Sequence, residues 1–507
     1  MRAAKNSCAQ RMRSRAVVLV LGLSAVAGCA LFQVRAPSEV RTDCATAAVV
    51  GLHWSPALDG ARAAGYRILR NGEPIGATAE LSFADTTVSA SMTYTYVIHA
   101  FDAFGHIAAS APLSVTTARA VPNGDAPYCP SPLIRSMAWD WSEGYRAAEG
   151  SDLWPVTWGQ DGNVYAFFGD GGGFGGDDLR GRTSFGIAMI SGRPPLDAAA
   201  ETNLYGGFQA RYPARLSGKA RSIIAIGSDF YAIASIYRST DPKFRRPQPI
   251  SGSPEHVELA YSLRNAYSWR DGDWTFCDSG TDGAFCPSGF VNFGRGNSGA
   301  PDRYVYLFGS SPAADHRMQE SAPAARTYLA RVERRRILRQ SAYQYFAGLD
   351  SRSRPTWSAD VERMQPIFTD RNAPQPGCGN RCDMSGDLED AVFDAGLKRY
   401  IGVAQGGLLA QTSFYEAPHP WGPWTTISYN NIDPATGGGG WGNLGVAAGE
   451  SLGVHPVNAW TSRDGQTMWM TYSSSGKAPA DALFPPPGSG LDAFHLLRTD
   501  LMIGASP

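Results

Sequence analysis

Charged residues are scarce in this 507-residue chain, and neither sign is in excess. Asp, Glu, Lys and Arg make up 18% of the residues, against about a quarter in average soluble domains. The formal net charge is −1. The low charge content argues against a coiled coil, a helical bundle and an acidic disordered protein. Because no basic excess is present, there is no electrostatic case for a nucleic acid partner, and none is expected.

Several signatures of catalytic and cofactor sites are also absent. The sequence has no His-Glu-x-x-His zinc motif and no Walker phosphate loop. The glycine-rich residues 169–176 lack the lysine and the following helix that a phosphate loop needs. This stretch is either a loop that must approach another group closely or a flexible connection. We accordingly expect no metal and no cofactor.

Glycine, proline and aromatic residues, by contrast, are abundant. The chain has 57 Gly and 34 Pro, and aromatic residues make up 11% of it. Glycine and proline mark turns, and aromatic residues favour strands. The composition therefore predicts an all-β protein with many turns. The length allows two to four domains, and 43% of hydrophobic residues is enough for large cores.

The N-terminus predicts export. Arg11, Arg13 and Arg15 precede an apolar run at residues 16–27. This run is too short to span a bilayer as a permanent helix and is typical of a secretory signal. The run ends in Val-Ala-Gly-Cys29, which resembles the bacterial lipobox and implies cleavage before Cys29 and lipidation of its thiol. Residues 1–28 are thus the predicted lipoprotein signal peptide, and residues 29–44 are a tether. The alternative is an ordinary signal peptide followed by a chance cysteine.

Export places the chain in the bacterial cell envelope, where disulfides form. We expect an outer-membrane lipoprotein, or a protein of the cell surface or periplasm, that contacts the membrane only through its lipid anchor. Six cysteines remain beside Cys29 in the exported chain. Fifteen pairings are possible, and proximity in sequence favours Cys44–Cys129, Cys277–Cys286 and Cys378–Cys382. The last pair is also a candidate for metal binding, but no His or second Cys pair stands nearby, which argues against zinc.

Residues 45–118 predict a small β-sandwich. Short strand-like segments alternate with turn signals such as Asn71-Gly72. With Trp54 as a core tryptophan and Tyr94 at the tyrosine-corner position, the segment resembles a fibronectin type III domain. Such modules are mostly spacers, and glycan or protein binding is the alternative. Residues 119–134 are the predicted linker to the rest of the chain.

Residues 135–503 exceed the size of most single cores, and a repeat accounts for that size. Five times, a short apolar strand meets a tight turn and a second strand rich in aromatic or β-branched residues. Together with the strand-like segments that follow, these hairpins predict a five-bladed β-propeller. A two-sheet sandwich of lectin type is the alternative. The arginine-rich residues 331–339 fall inside the third unit, and we interpret them as a strand with a solvated face.

Propeller topology predicts where a site would lie. The innermost strand of each blade starts at the mouth of the central channel, about ten residues before its hairpin turn. The five starts located in this way all carry polar or ionisable residues: Asp152, Lys219, Asn292, Asp387 with Glu389, and His455.

Asp152 and Asp170 are expected to meet at this mouth, because one hairpin begins and ends there. Paired carboxylates in a partly desolvated mouth suit glycoside hydrolysis, in which one acid protonates the leaving oxygen and the other is nucleophile or base. Lys219 or Arg221 would hold one carboxylate ionised. We expect Asp152→Asn to abolish turnover with little effect on stability, because a mouth carboxylate is exposed. The structural alternative is that Asp152 caps a strand, Asp170 makes a turn and Lys219 pairs with either.

Further residues complete the predicted site. Asp387 or Glu389 is the reserve acid across the channel. Trp441, within the glycine-rich residues 431–443, is either a sugar-stacking platform over the mouth or a tryptophan packed on the scaffold. The predicted substrate-binding residues beside Trp441 are Lys219, Arg221, Asn292, His455 and Arg182.

Four segments of the propeller resemble a bacterial family of sugar-cleaving enzymes. They are residues 152–158, 169–176, 304–309 and the Trp-Gly-Pro-Trp element at 421–424. The family is glycoside hydrolase family 183, whose members are endo-D-arabinanases, and the resemblance extends over about residues 135–503. It implies a carbohydrate-active propeller.

The sequence as a whole predicts a secreted, lipid-anchored glycoside hydrolase that acts on an extracellular polysaccharide through paired carboxylates. D-arabinan is the candidate substrate. The alternative is a non-catalytic glycan-binding or adhesion propeller. We expect a monomer whose partner is a polysaccharide or oligosaccharide.

Overall fold

The structure is a computed structural model that describes most of the chain. The described residues are 34–56, 63–119, 126–196, 200–237, 256–278, 284–311, 325–350, 352–370, 385–406, 411–429, 451–474 and 492–504. Four predictions fall outside them: the signal peptide with Cys29, most of the tether's first half, the Cys378–Cys382 pair, and Trp441. Within the described ranges, no helix has the length and apolar character needed to cross a bilayer.

The N-terminal module is a two-sheet β-sandwich, as predicted. One sheet contains β1 (Ser38–Ala45), β2 (Val50–Ser55) and β5 (Ser82–Asp85). The other contains β3 (Gly65–Arg70), β4 (Glu73–Thr78), β6 (Thr93–Phe101), β7 (Ile107–Ala109) and β8 (Leu113–Thr116).

The predicted marker residues of the sandwich lie where a fibronectin-type core needs them. Trp54 is fully buried, and its ring meets that of Tyr66 edge-on at 5.3 Å between centroids. The Tyr94 hydroxyl accepts a hydrogen bond of 2.8 Å from the backbone N–H of Ser89, five residues upstream, as in a tyrosine corner. The Trp54–Tyr66 contact joins the two sheets, and the Tyr94 hydrogen bond holds the residues that lead into β6.

The sandwich begins earlier than the sequence boundary at residue 45. Strand β1 starts at Ser38 and pairs with β2, so the second half of the predicted tether belongs to the folded module. Cys44 at the end of β1 forms the predicted disulfide with Cys129, across 85 residues of chain. The bond joins the first strand of the sandwich to the predicted linker at residues 119–134. Cys277–Cys286 also forms.

The remaining strands form a ring of antiparallel sheets, and the all-β propeller prediction is confirmed. Sheet 1 contains β10 (Asp152–Trp158), β11 (Val164–Gly169), β12 (Gly186–Ile190) and β13 (Glu201–Tyr205). Sheet 2 contains β14 (Gly218–Ile226), β15 (Asp229–Ile236), β16 (His256–Ser262) and β17 (Cys277–Asp278). Sheet 3 contains β18 (Cys286–Asn292), β19 (Tyr304–Ser310), β20 (Ala325–Glu333), β21 (Gln344–Leu349) and β22 (Pro355–Ser358), with β23 (Pro366–Asp370) paired to β20.

Two further sheets complete the described strands. Sheet 4 contains β24 (Ser385–Asp394), β25 (Arg399–Gly406), β26 (Gln411–Ala417) and β27 (Thr425–Ser428). A short parallel pairing of β24 with β18 joins it to sheet 3. Sheet 5 contains β28 (Ser451–Pro456), β29 (Thr467–Ser474) and β30 (Phe494–Ile503), and its outermost strand is β9 (Ile134–Ala147). Short 3-10 helices occur at Arg295–Asn297, Arg334–Arg336, Gln340–Ala342, Val361–Arg363 and Asn458–Trp460.

The cores lie between neighbouring sheets. Each of five apolar clusters draws its buried residues from two successive sheets, and the cluster between sheets 5 and 1 closes the ring. Strand β11 is buried at every position because sheets cover both of its faces, which explains its continuous apolar sequence. The pairing of β9 with β30 joins the two ends of the ring within sheet 5.

The first strand of each sheet is innermost, and these strands neighbour one another around the channel. We call the end of the ring where they begin the mouth face, and the opposite end, where the first hairpins turn, the hairpin face. Glu416 lies on the hairpin side of sheet 4, where Arg399 pairs with it at 3.0 Å. The Ser131 hydroxyl donates to the same carboxylate at 2.8 Å. Glu416 is therefore structural, and it anchors the end of the predicted linker.

The arginine-rich residues 331–339 are only partly a strand. Strand β20 ends at Glu333, and the 3-10 helix Arg334–Arg336 follows. Arg331 lies over the rings of Tyr304 and Trp357 at 4.1 and 4.0 Å from their centroids. Its positive charge is used in cation–π contacts within sheet 3.

Candidate functional site

The two predicted carboxylates come from one hairpin of sheet 1 at the mouth face. Asp152 begins β10 and pairs with Gly169, the last residue of β11, so Asp170 follows directly beside it. A Cβ atom at position 169 would lie 2.8 Å from the Lys219 Nζ and 2.9 Å from an Asp152 oxygen. A methyl group at position 169 would therefore displace the end of one or both of these side chains.

Lys219 bridges the two carboxylates. It lies one residue inside β14, the first strand of sheet 2. Its Nζ is 2.6 Å from each Asp152 oxygen and 3.0 Å from Asp170 Oδ2. One ammonium group therefore binds both acids from the neighbouring sheet, whereas the sequence predicted that Lys219 or Arg221 would hold one of them.

The two carboxylates differ in exposure. The Asp152 side chain is 11% exposed and the Asp170 side chain 47%, with Lys219 at 19%. Burial raises the pKa of Asp152, the nearby Lys219 ammonium opposes that rise, and the Asp170 charge adds to it. The sequence expectation of an exposed Asp152 is wrong, because its side chain is buried beside Lys219, which contacts both of its oxygens. Such a difference in environment lets two aspartates take different roles.

The backbone beside Asp152 is unusual. Leu153 and Trp154 have φ values of 80° and 63°, and Asp170 has a φ of 54°, in the left-handed region that non-glycine residues seldom adopt. The Trp154 indole N–H donates to the Ser151 carbonyl at 3.1 Å, and Thr471 from sheet 5 donates to the Trp154 carbonyl at 2.9 Å. Strained backbone of this kind clusters at functional sites, where surrounding contacts hold it.

The glycine-rich residues 169–176 form a compact loop and not a loose connection. Gly173 N–H donates to the Ser151 hydroxyl at 2.9 Å. The buried Asn203 amide oxygen accepts from Phe174 N–H at 3.0 Å, and its nitrogen donates to the carbonyls of Gly172, Phe174 and Phe208. Sequence reasoning missed Ser151 and Asn203, since neither carries a charge or lies in a recognised motif.

Arg182 also reaches the pair. Its guanidinium lies 3.9 Å from Asp170 Oδ1 and forms a closer ion pair with Asp178. It is 43% exposed, so it borders the open side of the site. The predicted substrate-binding role of Arg182 is therefore compatible with its position.

Asn292 does not lie at the mouth. It is the last residue of β18, and the Thr157 hydroxyl, near the end of β10, donates to its amide oxygen at 3.2 Å. The mouth prediction for Asn292 is wrong because the connection after β18 is long. Because this connection contains the 3-10 helix Arg295–Asn297, ten residues before the turn is the end of β18 and not its start.

His455 is buried in a pair with Asp390. The His455 Nδ1 lies 2.9 Å from Asp390 Oδ2, and the two residues are 4% and 3% exposed. A buried ring cannot serve as an open substrate contact, which corrects the prediction for His455. Asp390 was missed, although it directly follows the predicted Glu389.

The other predicted residues lie on the same innermost strands. Asp387 is buried and Glu389 is half-buried in β24, on the side of the ring formed by sheet 4. Arg221 lies at the bulge in β14 between Ala220 and Ser222. Each of these three charged residues has a partner. In the described ranges, no group of three or more His, Cys, Asp or Glu is arranged to hold a metal ion.

Comparison with known sequences yields short shared segments. No family model matches the chain. Exoglucanase B of Cellulomonas fimi is 32% identical over 123 residues, 23% of this chain and 11% of that protein. An alpha-amylase of Niallia circulans is 40% identical over 82 residues, 16% of this chain and 6% of that protein. Chitinase Chi52 of Paenibacillus xylanexedens is 36% identical over 88 residues, 17% of each chain. The chain thus spans less than a fifth of any of these three relatives.

Comparison with solved structures gives matches of low TM-score. The FN5 domain of Drosophila Lar has a TM-score of 0.14 and 20% identity, covering 17% of this chain and 97% of that one. The GH43_1 enzyme from Xanthomonas citri has a TM-score of 0.35 and 12% identity, covering 71% of this chain and 91% of that one. These likenesses concern the fold alone.

Proposed function

We propose that the protein is a retaining glycoside hydrolase that acts on an extracellular polysaccharide, with Asp152 and Asp170 as its catalytic pair. The observation that carries the proposal is the bridge of Lys219 across two carboxylates of one hairpin. The relatives that share segments with the chain are an exoglucanase, an amylase and a chitinase, which supports the general class of reaction.

The separation of the carboxylates supports retention of anomeric configuration. The Lys219 nitrogen lies 2.6 Å from Asp152 and 3.0 Å from Asp170. The closest oxygens of the two acids are therefore no farther apart than the sum of these distances, which is under about 6 Å. Inverting enzymes hold their carboxyl groups roughly 6.5–9.5 Å apart to admit water, whereas retaining enzymes hold them about 5–5.5 Å apart.

The different surroundings of Asp152 and Asp170 support different roles for the two carboxylates. Lys219 binds both oxygens of Asp152 and thereby favours its charged form against the effect of burial. Because the pKa of Asp152 is nonetheless raised, Asp152 is suited to be the nucleophile at the pH values where it is ionised. Asp170 is half-exposed and lies on the open side of the pair, where it can reach the leaving oxygen, so it is suited to be the acid and base.

The reaction then proceeds in two steps. Asp170 transfers its proton to the leaving glycosidic oxygen while an Asp152 oxygen bonds to the anomeric carbon, and the glycosidic bond breaks. Asp170, now ionised, takes a proton from water as the water oxygen displaces Asp152 from the sugar. Lys219 stays within reach of both acids, so it can stabilise whichever carboxylate carries the charge in each step.

D-arabinan is the proposed substrate, on the sequence resemblance to endo-D-arabinanases. The proposed location is the bacterial envelope, with Cys29 lipidated. The Cys44–Cys129 and Cys277–Cys286 bonds fit an oxidising compartment. Radioactive palmitate should label the full-length protein in cells of its source and leave the Cys29→Ser variant unlabelled. Labelling of both would contradict the anchor.

The activity is tested on the full-length protein with a panel of polysaccharides, including D-arabinan, L-arabinan, cellulose, starch and chitin. The expected result is release of oligosaccharides from D-arabinan, with retained configuration at the new reducing end by proton NMR. Binding of a glycan without any product would favour the non-catalytic alternative. Inverted products would contradict the assigned roles. Sedimentation of the same sample tests the proposed monomer.

A further inference from the structure

A concave site lies on the hairpin face, at the opposite end of the ring from Asp152. It is a cleft of about 430 Å³ between sheets 3 and 4, within the usual range for ligand sites. Its lining comes from the turn before β19, the turn between β24 and β25, and the turn after β26. These three turns are separated by the thickness of the ring from the catalytic pair.

The walls of the cleft are flat and aromatic. His419 and Trp421 stack with 5.1 Å between ring centroids and 14° between planes. Trp421 is braced edge-on by Trp357 at 6.3 Å, and Phe393 packs against Tyr400 at 5.0 Å. The stacked pair therefore presents a fixed planar surface, the kind that the apolar face of a sugar ring can cover.

The polar groups of the cleft carry opposite charges. Asp302 stands at one side, where its carboxylate accepts a hydrogen bond of 2.6 Å from the Tyr306 hydroxyl. Lys398 stands at the turn between β24 and β25 and is exposed. The charges of Asp302 and Lys398 cancel, so the lining has no net charge. Such a lining fits a neutral ligand with many hydroxyl groups better than an anion or a cation.

The composition of the lining also argues against a protein partner. Among the described residues, no Leu, Ile, Val or Met lines the cleft, whereas grooves that bind apolar helices are typically rich in such side chains. Prolines at positions 301, 418 and 420 contribute to the walls, so the surface is rigid. Rigid aromatic walls with a few hydrogen-bonding groups match an oligosaccharide.

We infer that the hairpin-face cleft is an accessory binding site for a neutral oligosaccharide segment of the polysaccharide that is hydrolysed at the mouth. The inference rests on the proposed function for the identity of the ligand. Two sites on opposite faces let one long polysaccharide stay bound through the cleft while another part of it is cleaved. Effective concentration at the mouth then rises without any new catalytic contact.

The test measures binding without turnover. Full-length protein carrying Asp152→Asn is titrated with short D-arabinan oligosaccharides, with cello- and chito-oligosaccharides as parallel arms, and Trp421 is followed by NMR or fluorescence. Introducing Trp421→Ala into the Asp152→Asn protein should weaken its binding of long D-arabinan roughly tenfold, because the sugar ring loses its stacking surface. Phe104→Ala is the matched control, because Phe104 is an 86% exposed aromatic residue on the sandwich, and it should leave binding unchanged.

The outcomes separate this inference from the proposed function. If the wild type hydrolyses D-arabinan while Trp421→Ala changes neither its affinity for the long polymer nor its KM, the accessory site is wrong and the catalytic proposal stands. If no polysaccharide is hydrolysed but a glycan perturbs Trp421, the cleft is supported and the catalytic proposal fails. Should Trp421→Ala unfold, Lys398→Gln at the exposed turn provides the second variant, and an unchanged affinity there overturns the inference.

Discussion

Replacing Lys219 with methionine should cost activity most at acidic pH. Lys219 holds Asp152 through two contacts of 2.6 Å, and burial alone raises the pKa of that acid. A nucleophile must be ionised, so removing the opposing cation moves the acidic limb of the pH–rate profile to higher pH. Unit charges about 4 Å apart attract by about 4 kcal/mol at an effective dielectric constant near 20. Solvent at the mouth screens part of this attraction.

We therefore expect kcat/KM of Lys219→Met to fall roughly a hundredfold at pH 5 and to recover partly as pH rises. Initial rates on the preferred glycan from pH 4 to pH 9 provide the measurement. Lys219→Arg should retain the wild-type limb, since it keeps the charge. Arg67→Met removes an exposed cation from β3 of the sandwich and serves as the charge control. An equal loss at every pH, with the limb unmoved, would refute the role given to Lys219.

Three further changes test other parts of the account. Gly169→Ala should lower kcat at least tenfold, because the new methyl group would lie 2.8 Å from Lys219 Nζ; a wild-type rate would contradict the tight fit. Asn203→Leu should lower the free energy of unfolding by about 1–3 kcal/mol, measured in urea, and a stable, active variant would show that the glycine-rich loop holds itself. Burial lowers the pKa of His495 from 6.5 to about 3, so the unfolded chain binds a proton that the folded one does not. Stability should therefore fall by about 2 kcal/mol between pH 6.5 and pH 5, and His495→Phe should remove that part of the pH dependence.

Local sequence was sufficient where the residues of the site are close in the chain. Asp152 and Asp170 belong to one hairpin, so strand length and turn position alone place them together. Lys219 followed from the same reasoning applied to the next sheet, because β14 has a short turn at Gly227. Trp54 and Tyr94 were sufficient to predict the sandwich, because a core tryptophan and a corner tyrosine have few alternative positions in such a fold.

Predictions failed where the chain departs from a regular hairpin. Because the connection after β18 is long, Asn292 lies at the end of its strand and not at the predicted start. His455 is buried in a pair with Asp390, which lies 65 residues earlier in the chain. Strand β9 closes the ring by pairing with β30, more than 300 residues later. No local sequence pattern predicts this pairing. Long-range contacts of this kind decide exposure and therefore role.

The most direct test of the central claim compares hydrolysis by Asp152→Asn and wild type on the same glycan. The account predicts a loss of at least a thousandfold in kcat, with circular dichroism and thermal unfolding still reporting a folded protein. A modest drop in stability is expected, since Asp152 is only 8% exposed and loses its ion pair. Asp273→Asn, at an exposed aspartate between β16 and β17, is the control and should keep full activity. Retained hydrolysis by a folded Asp152→Asn protein would contradict the account.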